Sequence, residues 1–473
     1  MLKGLDAVPW SDLKRNFAFT AYNNDLDIPA LLRQLINEDP EKRSQAWGKL
    51  YDNVFHQGSR FGATAYILPF IIELCAEPSV PDRNSLLWFW GYAITGYFSV
   101  RERPTWGDGE TIYEYGEVCQ WRTEGEDYEG LHQIYRESLK GKELLFDLLN
   151  DDDIYLRRGA IRVLASMPTI AELSVPKLEK RLERETADNM RGSIAFALGE
   201  LGASTPLLKL VAELEISATK CMAVCQLARI NPQECLIEPL LHFVSNRVEE
   251  YRNLVGAGGK STDDAAFAIS HLSRHLQQQA IPAICQRLKQ ARSFDTVPLV
   301  NTLLSAAFEE LNKQFNFSKK PYKPLTELTQ IQNLVLSQML MTDELWSIGN
   351  LIGTFRIYGL PFSKEDCAKL VGIELTTDEA LTELRWGLAW AEMGVFLEKA
   401  RNGINRAVEI DNAVFERVPS PEEAWLLCAK AFAEVDEKRS LSAFRQAYLI
   451  NPAIVDLVSP HWYLAKLLNK NDF

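Results

Sequence analysis

The sequence predicts an all-α fold in which short helix pairs repeat along the chain as an α-solenoid. In the run Arg191–Gly202, RGSIAFALGELG, small and apolar residues occupy the positions where one helix stacks on another. Arg43, Arg157 and Arg191 are each followed by Ala three or four positions later and by Leu at the seventh position, a spacing that lies on one helical face. Lys220 repeats this spacing. The intervals from Arg157 to Arg191 and from Arg191 to Lys220 each suit one helix pair per unit.

These segments resemble HEAT repeats, in particular the short bacterial form also found in phycobilisome lyases. The resemblance is strongest over residues 140–245 and extends to residues 28–100. It implies a stacked array whose stability lies in the contacts between neighbouring repeats. We therefore expect Arg43, Arg157 and Arg191 to be structural, bonding acids or helix-end carbonyls of their own or adjacent repeats. If they project into a groove instead, an anionic ligand becomes the alternative.

Four regions divide the chain. Residues 1–103 are predicted to form N-terminal HEAT-like helices, 104–130 an acidic aromatic insertion loop, 131–340 a HEAT-like repeat array and 341–473 a C-terminal helical, tetratricopeptide-like region. Helices of ~10–15 residues are expected throughout. Regular strand is expected only within the insertion.

The last region carries the spacing of a tetratricopeptide repeat, with a shorter turn than usual. The residues that match are Trp425, Ala429, Phe432, Phe444, Ala447 and Pro452. Ala407 and Ile410 precede Ala447 and Ile450 by the same interval, which indicates an earlier, degenerate unit. A single pair of this kind often caps a helical domain, because a terminal repeat must cover an otherwise exposed face.

Composition and charge narrow the classes of function. Hydrophobic residues make up 47% and charged residues 24%, as in ordinary globular chains, and the net charge is −13. Nucleic acid is polyanionic, so an acidic chain needs a dense basic patch to bind it, and Lys and Arg are thinly spread here. The balance favours a basic protein partner. We expect a cytoplasmic protein, since the start lacks a signal-peptide core and no apolar run reaches the ~18 residues of a membrane span.

The insertion is the predicted partner surface. Residues 104–130 hold eight acids, one Arg, five Gly and five large aromatics, without helical periodicity. Buried Trp and Tyr dominate interface energies, and clustered carboxylates attract basic surfaces. The alternative is a loop whose aromatics pack back onto the helices while its acids are solvated. The predicted partner-binding residues are Trp106, Asp108, Glu110, Tyr113, Glu114, Tyr115, Glu117 and Trp121.

Several patterns that could indicate chemistry have a structural interpretation. The eight cysteines are scattered, mostly through apolar helical patterns, which predicts buried, reduced thiols. Cys221 and Cys225 lack the paired CxxC spacing of zinc sites.

The glycine-rich run 255–262 resembles a phosphate-binding loop, but Leu254 stands where the motif needs its first Gly, and the segment before it is predicted to be helix. A flexible loop before a helix over 263–275 is the better interpretation.

No recognisable catalytic motif occurs in the sequence. His56 and Gln57 lie in a segment that resembles the first repeat of a group of bacterial HEAT-repeat proteins, and we expect them to bond loop carbonyls. His271 and His275 are spaced i,i+4 and are expected to lie on a solvated helical face.

These observations predict a non-enzymatic protein-binding scaffold, similar to immunity or adaptor proteins, that clamps a basic partner without a cofactor or a metal. A phycobilin-lyase-like enzyme or chaperone is the first alternative. A DNA-lesion-binding HEAT-like protein is the second, and the net charge disfavours it.

Overall fold

The computed structural model describes residues 1–10, 13, 27–56, 59–60, 62–96, 112–114, 118–120, 128–257, 259–291, 295–309, 325–342, 345–346, 348, 351–361, 363–373, 380, 383–384, 387–388, 390–391, 397–418, 420–458 and 464–465. The chain divides into two compact units. The first contains Met1–Ile284 with Asn316–Lys320, and the second contains Cys285–Phe315 with Pro321–Phe473. The predicted repeat array, 131–340, therefore includes residues of both units.

The first unit is helical, as the sequence predicts. Its helices are α1 (Ile28–Gln34), α2 (Pro40–Val54), α3 (Gly62–Ala76), α4 (Arg83–Thr95), α5 (Tyr128–Lys140), α6 (Lys142–Leu148), α7 (Ile154–Ala165), α8 (Ala171–Arg184), α9 (Asp188–Glu200), α10 (Ser204–Glu213), α11 (Ala218–Ile230), α12 (Ile237–Ser245) and α13 (Ser261–Ile269). A 3-10 turn, Glu249–Asn253, lies between α12 and α13. α14 (Arg274–Leu288) contains the division after Ile284.

The second unit is also helical in its described residues. Its helices are α15 (Thr296–Ala307), α16 (Gln330–Leu340), α17 (Leu351–Ile357), α18 (Lys364–Val371), α19 (Leu397–Ile410), α20 (Pro421–Phe432) and α21 (Glu437–Ile450). A 3-10 turn, Pro452–Leu457, follows α21. The all-α prediction is confirmed.

Strand occurs in two short antiparallel hairpins of the described chain. β1 (Phe55–His56) pairs with β2 (Ser59–Arg60), between α2 and α3. β3 (Ile112–Glu114) pairs with β4 (Val118–Gln120), within the insertion. The expectation that strand is confined to the insertion was therefore wrong.

The first hairpin has a clear physical cause. Phe55 is fully buried, with its ring centroid 6.2 Å from that of Phe89 in α4. The Thr64 hydroxyl of α3 donates to the Val54 carbonyl at the end of α2. The chain must reverse within a short segment to make both contacts, and the two short strands pair across that reversal.

Helix starts follow local capping chemistry. The Asp39 carboxylate accepts the N–H of Glu41 at 2.9 Å, and Pro40 occupies the first position of α2. The Asp153 carboxylate accepts the N–H of Tyr155 at 2.7 Å at the start of α7. Such caps satisfy amides that have no partner within the helix, and each stabilises it by ~1 kcal/mol.

In the first unit, a row of helices packs in steps along the sequence. α4 contacts α7, α7 contacts α9, α9 contacts α11 and α11 contacts α13. Two glycines allow the close approach. A Cβ at Gly159 of α7 would lie 2.7 Å from Leu87 of α4, and a Cβ at Gly199 of α9 would overlap Gln226 of α11. Larger side chains at these positions would push neighbouring helices apart.

In the second unit, α19 packs on α20, and α20 packs on α21. Trp425 of α20 stacks on Phe415, with ring centroids 3.9 Å apart and planes at 12°. The Ser440 hydroxyl of α21 donates to the Ala429 carbonyl at 2.8 Å in a buried junction. Four residues of the tetratricopeptide-like spacing are buried in this core: Ala429, Phe432, Phe444 and Ala447.

Among the residues that the structure describes, no helix is both long enough and apolar enough to cross a membrane.

Candidate functional site

The predicted partner surface lies mostly outside the described residues. This holds for the side chains of all eight predicted contacts: Trp106, Asp108, Glu110, Tyr113, Glu114, Tyr115, Glu117 and Trp121. The backbone of the insertion forms β3 and β4, with Tyr113 opposite Cys119. β4 packs against α5, which begins at Tyr128, so the end of the predicted loop is helical. The hairpin is therefore placed against the helix that follows it.

The predicted basic residues make a recurring contact in the first unit. Arg43 Nη1 donates to the backbone carbonyls six and five positions earlier, at 2.9 and 3.0 Å. Arg157 Nη1 donates to the two equivalent carbonyls, both at 2.9 Å. Lys220 Nζ donates to the carbonyl six positions earlier, Leu214, at 2.7 Å. Each side chain thus ties its helix to the turn that precedes it.

Two of these side chains also reach an acid further along the chain. Arg43 Nε donates to Asp82, immediately before α4, at 2.7 Å. Arg157 Nε lies 3.6 Å from a carboxylate oxygen of Glu185, just before α9. Both pairs connect the first turn of one helix to the entry of a later one.

Glu185 joins three elements. Its carboxylate accepts a hydrogen bond from Arg181 of α8 at 2.6 Å and the backbone N–H groups of Thr186 and Ala187 at 3.2 and 3.4 Å. Burial opposes ionisation of this carboxyl, but the bonds from Arg181 and Ala187 and the charge of Arg157 outweigh it and lower the pKa of Glu185. The ionised carboxylate therefore holds α7, α8 and the start of α9 together.

Arg191 differs from its predicted equivalents. Its guanidinium forms no carbonyl bond like those of Arg43 and Arg157 within the described part of the chain, and its Nε, like that of Arg157, is buried without a hydrogen-bond partner there. The polar link at this position is made by Asp188 instead. The Asp188 carboxylate accepts the N–H of Ala218 at 3.0 Å and the Thr219 hydroxyl at 2.6 Å, so α9 caps the start of α11.

The opposite ends of α9 and α11 carry a buried ion pair. Arg229 Nη1 lies 2.9 Å from Glu200, and their side chains are 9% and 2% exposed. Arg229 also donates to the Gln226 amide oxygen at 3.3 Å. Removing either partner of such a buried pair would be strongly destabilising, because it leaves an uncompensated charge in the interior.

The glycine-rich run 255–262 begins at the end of a segment that crosses the helix row, which we call the strap (residues 246–257). Two of its backbone groups bond side chains of α7 and α9. The Asn253 carbonyl accepts from Arg158 of α7 at 2.6 Å, and the Val255 N–H donates to the Ser193 hydroxyl of α9 at 3.0 Å. Val255, the first residue of the run, is thereby bound to α9.

Side chains hold the strap on α9 as well. Leu254 fills the space beside Gly192, where a Cβ would lie 2.7 Å from the Leu254 methyl. Gly256 has φ +76° and faces Phe196 so closely that any side chain would overlap the ring. Sequence reasoning assigned the small residues of α9 to helix stacking alone; the strap accounts for Gly192.

The strap continues onto α11 through Tyr251, which is 1% exposed. The Tyr251 hydroxyl donates to Asp264 of α13 at 2.9 Å. Burial, followed by the charge of Asp264, raises the pKa of Tyr251 well above its ordinary value. The Ser261 hydroxyl accepts the Val248 N–H at 2.8 Å instead of capping α13, which begins at Ser261 and not at residue 263.

The thiols are largely buried. Of the seven cysteines whose side chains the structure describes, all are free and only Cys235 is exposed. Burial raises the pKa of Cys221 well above its ordinary value, and it raises the pKa of Cys428 to about 12. Such thiols stay protonated and are poor metal ligands. The described chain also contains no group of three or more His, Cys, Asp or Glu side chains that could hold a metal ion.

The histidines form no common site in the described chain. His271 and His275 are not on one helical face, because α13 ends at Ile269 and α14 begins at Arg274. The Gln277 amide donates to the Ser270 and Leu272 carbonyls, at 2.8 Å each, and so stabilises the break. The side chains of His56 and Gln57 lie outside the described residues.

Comparisons with known proteins place the chain in no family. No protein-family model matches it, and no curated protein matches it. Among solved structures, it is similar to the crystal structure of an engineered protein from the Northeast Structural Genomics Consortium. The two share 15% sequence identity over 94% of this chain and 98% of that chain, with a TM-score of 0.29. A similarity of this extent defines neither fold nor function.

Proposed function

We propose that this protein is a non-enzymatic scaffold that binds a basic protein, in the manner of an immunity or adaptor protein. The insertion 104–130 supplies the main contact surface. The helices of the first unit form the frame, as a HEAT-like α-solenoid. The second unit adds tetratricopeptide-like helix pairs, of which α20 and α21 are the clearest.

The proposed solenoid in the first unit is supported by the packing of α4 on α7, α7 on α9, α9 on α11 and α11 on α13. Two polar contacts join α9 to α11 within this row: Asp188 bonds the start of α11, and Glu200 pairs with Arg229. Repeat arrays derive their stability from interfaces of this kind and leave long surfaces for partners. The predicted basic residues Arg43 and Arg157 are engaged with carbonyls and acids, which favours a structural role over an anionic ligand.

One observation carries the assignment of the surface. The eight acids and one Arg of residues 104–130 give this segment a net charge of −7, about half of the −13 of the whole chain. The same segment holds five large aromatics. A strong local negative field accelerates encounter with a basic surface, and aromatic side chains then hold the complex.

Copurification tests the proposal. The tagged protein is recovered from its native cells, and bound proteins, pigments and nucleic acid are identified. We expect a stoichiometric basic protein that dissociates at high salt. A coloured preparation would support a bilin-binding protein instead, and retained nucleic acid would support the DNA-binding alternative.

A charge-matched pair of variants tests the surface. The first replaces four insertion acids with their amides: Asp108→Asn, Glu110→Gln, Glu114→Gln and Glu117→Gln. The control replaces four exposed acids of the first unit: Glu172→Gln, Glu183→Gln, Glu234→Gln and Glu238→Gln. Both change the net charge by the same amount. We expect the first variant alone to lose the partner. If both variants lose it equally, the overall charge of the protein, and not the insertion, determines binding.

A further inference from the structure

Two arginines lie close together in the fold where the strap crosses α7. Arg158 of α7 donates from Nη2 to the backbone carbonyl of Asn253 at 2.6 Å. Arg252 precedes Asn253 in the strap and is exposed, so its backbone lies directly beside this bond. Tyr155 is three positions before Arg158 on α7, a spacing that puts both on one helical face, and it is 58% exposed. The surface of the first unit therefore carries two cations and an exposed ring at this crossing.

Neither arginine has an acidic partner in the part of the chain that the structure describes. Arg158 makes its hydrogen bond to Asn253, and its Nε is buried without a partner there. The Arg252 side chain forms no hydrogen bond or ion pair with a described residue. By contrast, Arg157 pairs with Glu185. Each arginine side chain has five N–H donors, so most of the donors at the crossing are unused.

Burial makes the unneutralised charge of Arg158 costly. It lowers the pKa of this guanidinium, and the group whose charge opposes the shift is Tyr155 and not a carboxylate. Of the two acids in the 3-10 turn of the strap, Glu249 pairs with Arg247 at 2.9 Å, and Glu250 makes no ion pair with a described residue. A half-buried cation without a counterion is stabilised by an anion that reaches it, because the anion replaces part of the solvation that burial removed.

We propose that Arg158 and Arg252 bind a phosphate group, carried by a small phosphate monoester. Such a group has a charge of about −1.5 to −2 at neutral pH, which two guanidinium groups match. A planar guanidinium can also bond two phosphate oxygens at once, and these charged bonds are stronger than neutral ones. The exposed Tyr155 ring offers a face on which a planar part of the ester can stack.

The acidity of the whole chain does not prevent binding at this site. The net charge of −13 repels an anion at long range. At physiological salt that repulsion is largely screened beyond about 8 Å, whereas contact with two guanidinium groups acts at short range. The site also lies outside the insertion and is independent of the proposed function. Deletion of residues 107–127 should therefore leave phosphate binding unchanged, so that the two proposals can fail separately.

Isothermal titration calorimetry of the full chain tests the site with three probes, which are adenosine monophosphate, adenosine and inorganic phosphate. We expect adenosine monophosphate to bind and adenosine, which lacks the phosphate, not to bind. Weaker binding of inorganic phosphate would support an ester whose planar part stacks on Tyr155. Binding of inorganic phosphate as tight as that of the ester would identify free phosphate as the ligand of the same two arginines. Adenosine that binds as tightly as adenosine monophosphate would overturn the proposal, as would a wild-type protein that binds neither phosphate probe.

Variants locate the binding on the two arginines. Arg158→Gln and Arg252→Gln should each weaken binding of adenosine monophosphate by about tenfold or more, since each removes a charged hydrogen-bond donor. Arg252→Gln retains the bond between Arg158 and the strap, so it tests the site even if Arg158→Gln loosens the fold. The matched control is Arg184→Gln, at an exposed arginine of α8. Circular dichroism of each variant checks that the helices are intact. Unchanged binding by Arg252→Gln, or equal weakening by Arg184→Gln, would contradict the site.

Discussion

Leu254 fills the space that a side chain at Gly192 would occupy, with its methyl group 2.7 Å from the position of the missing Cβ. Gly192 lies in α9, and Leu254 lies in the strap, far later in the sequence. The contact explains why a glycine stands inside a helix, where it costs ~1 kcal/mol relative to alanine.

We predict that Gly192→Ala destabilises the protein by about 1–3 kcal/mol, because the added methyl group must displace Leu254 from a packed site. The matched control is Gly48→Ala in α2, where a Cβ would meet no atom within 4 Å. That change should stabilise the protein by about 0.5–1 kcal/mol through helix propensity. Chemical denaturation of both variants measures the difference, and a Gly192→Ala protein as stable as wild type would contradict the packing argument.

Glu185 should make stability depend on acid pH. Its folded pKa is lowered, so its contribution is fully present above the ordinary glutamate pKa of about 4.3 and is lost as pH falls through the folded pKa. Glu185→Gln should therefore cost about 1–3 kcal/mol at neutral pH and progressively less in acid. Unfolding free energies measured from neutral pH downwards, with Glu183→Gln as the exposed control, test this. A constant difference across that range would exclude ionisation as the cause.

Arg157 and Arg191 should differ in their contribution, although the sequence presents them as equivalents. Arg157→Ala removes two bonds to carbonyls and the ion pair to Glu185, and should cost about 2–4 kcal/mol. Arg191→Ala should destabilise the array by a smaller amount, because its guanidinium makes no equivalent carbonyl bonds or ion pair among the described residues, and its Nε, like that of Arg157, has no hydrogen-bond partner there. Thermal unfolding of the two variants side by side gives the order, and a larger loss for Arg191→Ala would reverse this interpretation.

Binding kinetics should separate the charges of the insertion from its aromatics. Neutralising Asp108, Glu110, Glu114 and Glu117 should slow association and flatten its salt dependence, because long-range attraction acts before contact. Trp106→Ala or Trp121→Ala should instead speed dissociation. Surface plasmon resonance with the copurified partner resolves the two rates. If deletion of residues 107–127 changes neither partner binding nor thermal stability, the insertion is not the binding surface.

Interactions between residues that are close together in the sequence were predictable. The helical period identified the all-α fold, and residues such as Asp39 and Asp153 stand at helix starts because their carboxylates accept nearby amides. The spacing of Arg43 and Arg157 reflects the same short range, since each bonds carbonyls five and six positions earlier.

Contacts between distant segments were not predictable in this way. Gly192 of α9 is explained only by Leu254 in the strap. The bond between the Asp188 carboxylate and the N–H of Ala218 likewise joins residues 30 positions apart. The exposure of Leu449 and Ile450 also could not be recognised, because an apolar helix end is usually buried and only the packing leaves these two residues exposed.

The strap also determines when the first unit can be completed during synthesis. Arg158 and its acceptor Asn253 are 95 residues apart, so α7 and α9 leave the ribosome well before the segment that covers them. At about 5–20 residues per second, translation separates the two by several seconds. During that interval Gly192, Ser193 and Phe196 have no strap over them, and a nascent chain arrested before residue 246 should bind hydrophobic dyes more strongly than one arrested well beyond residue 257. Helices α7 and α9 can pack on each other as they are synthesised, but they are covered only after the strap has been made.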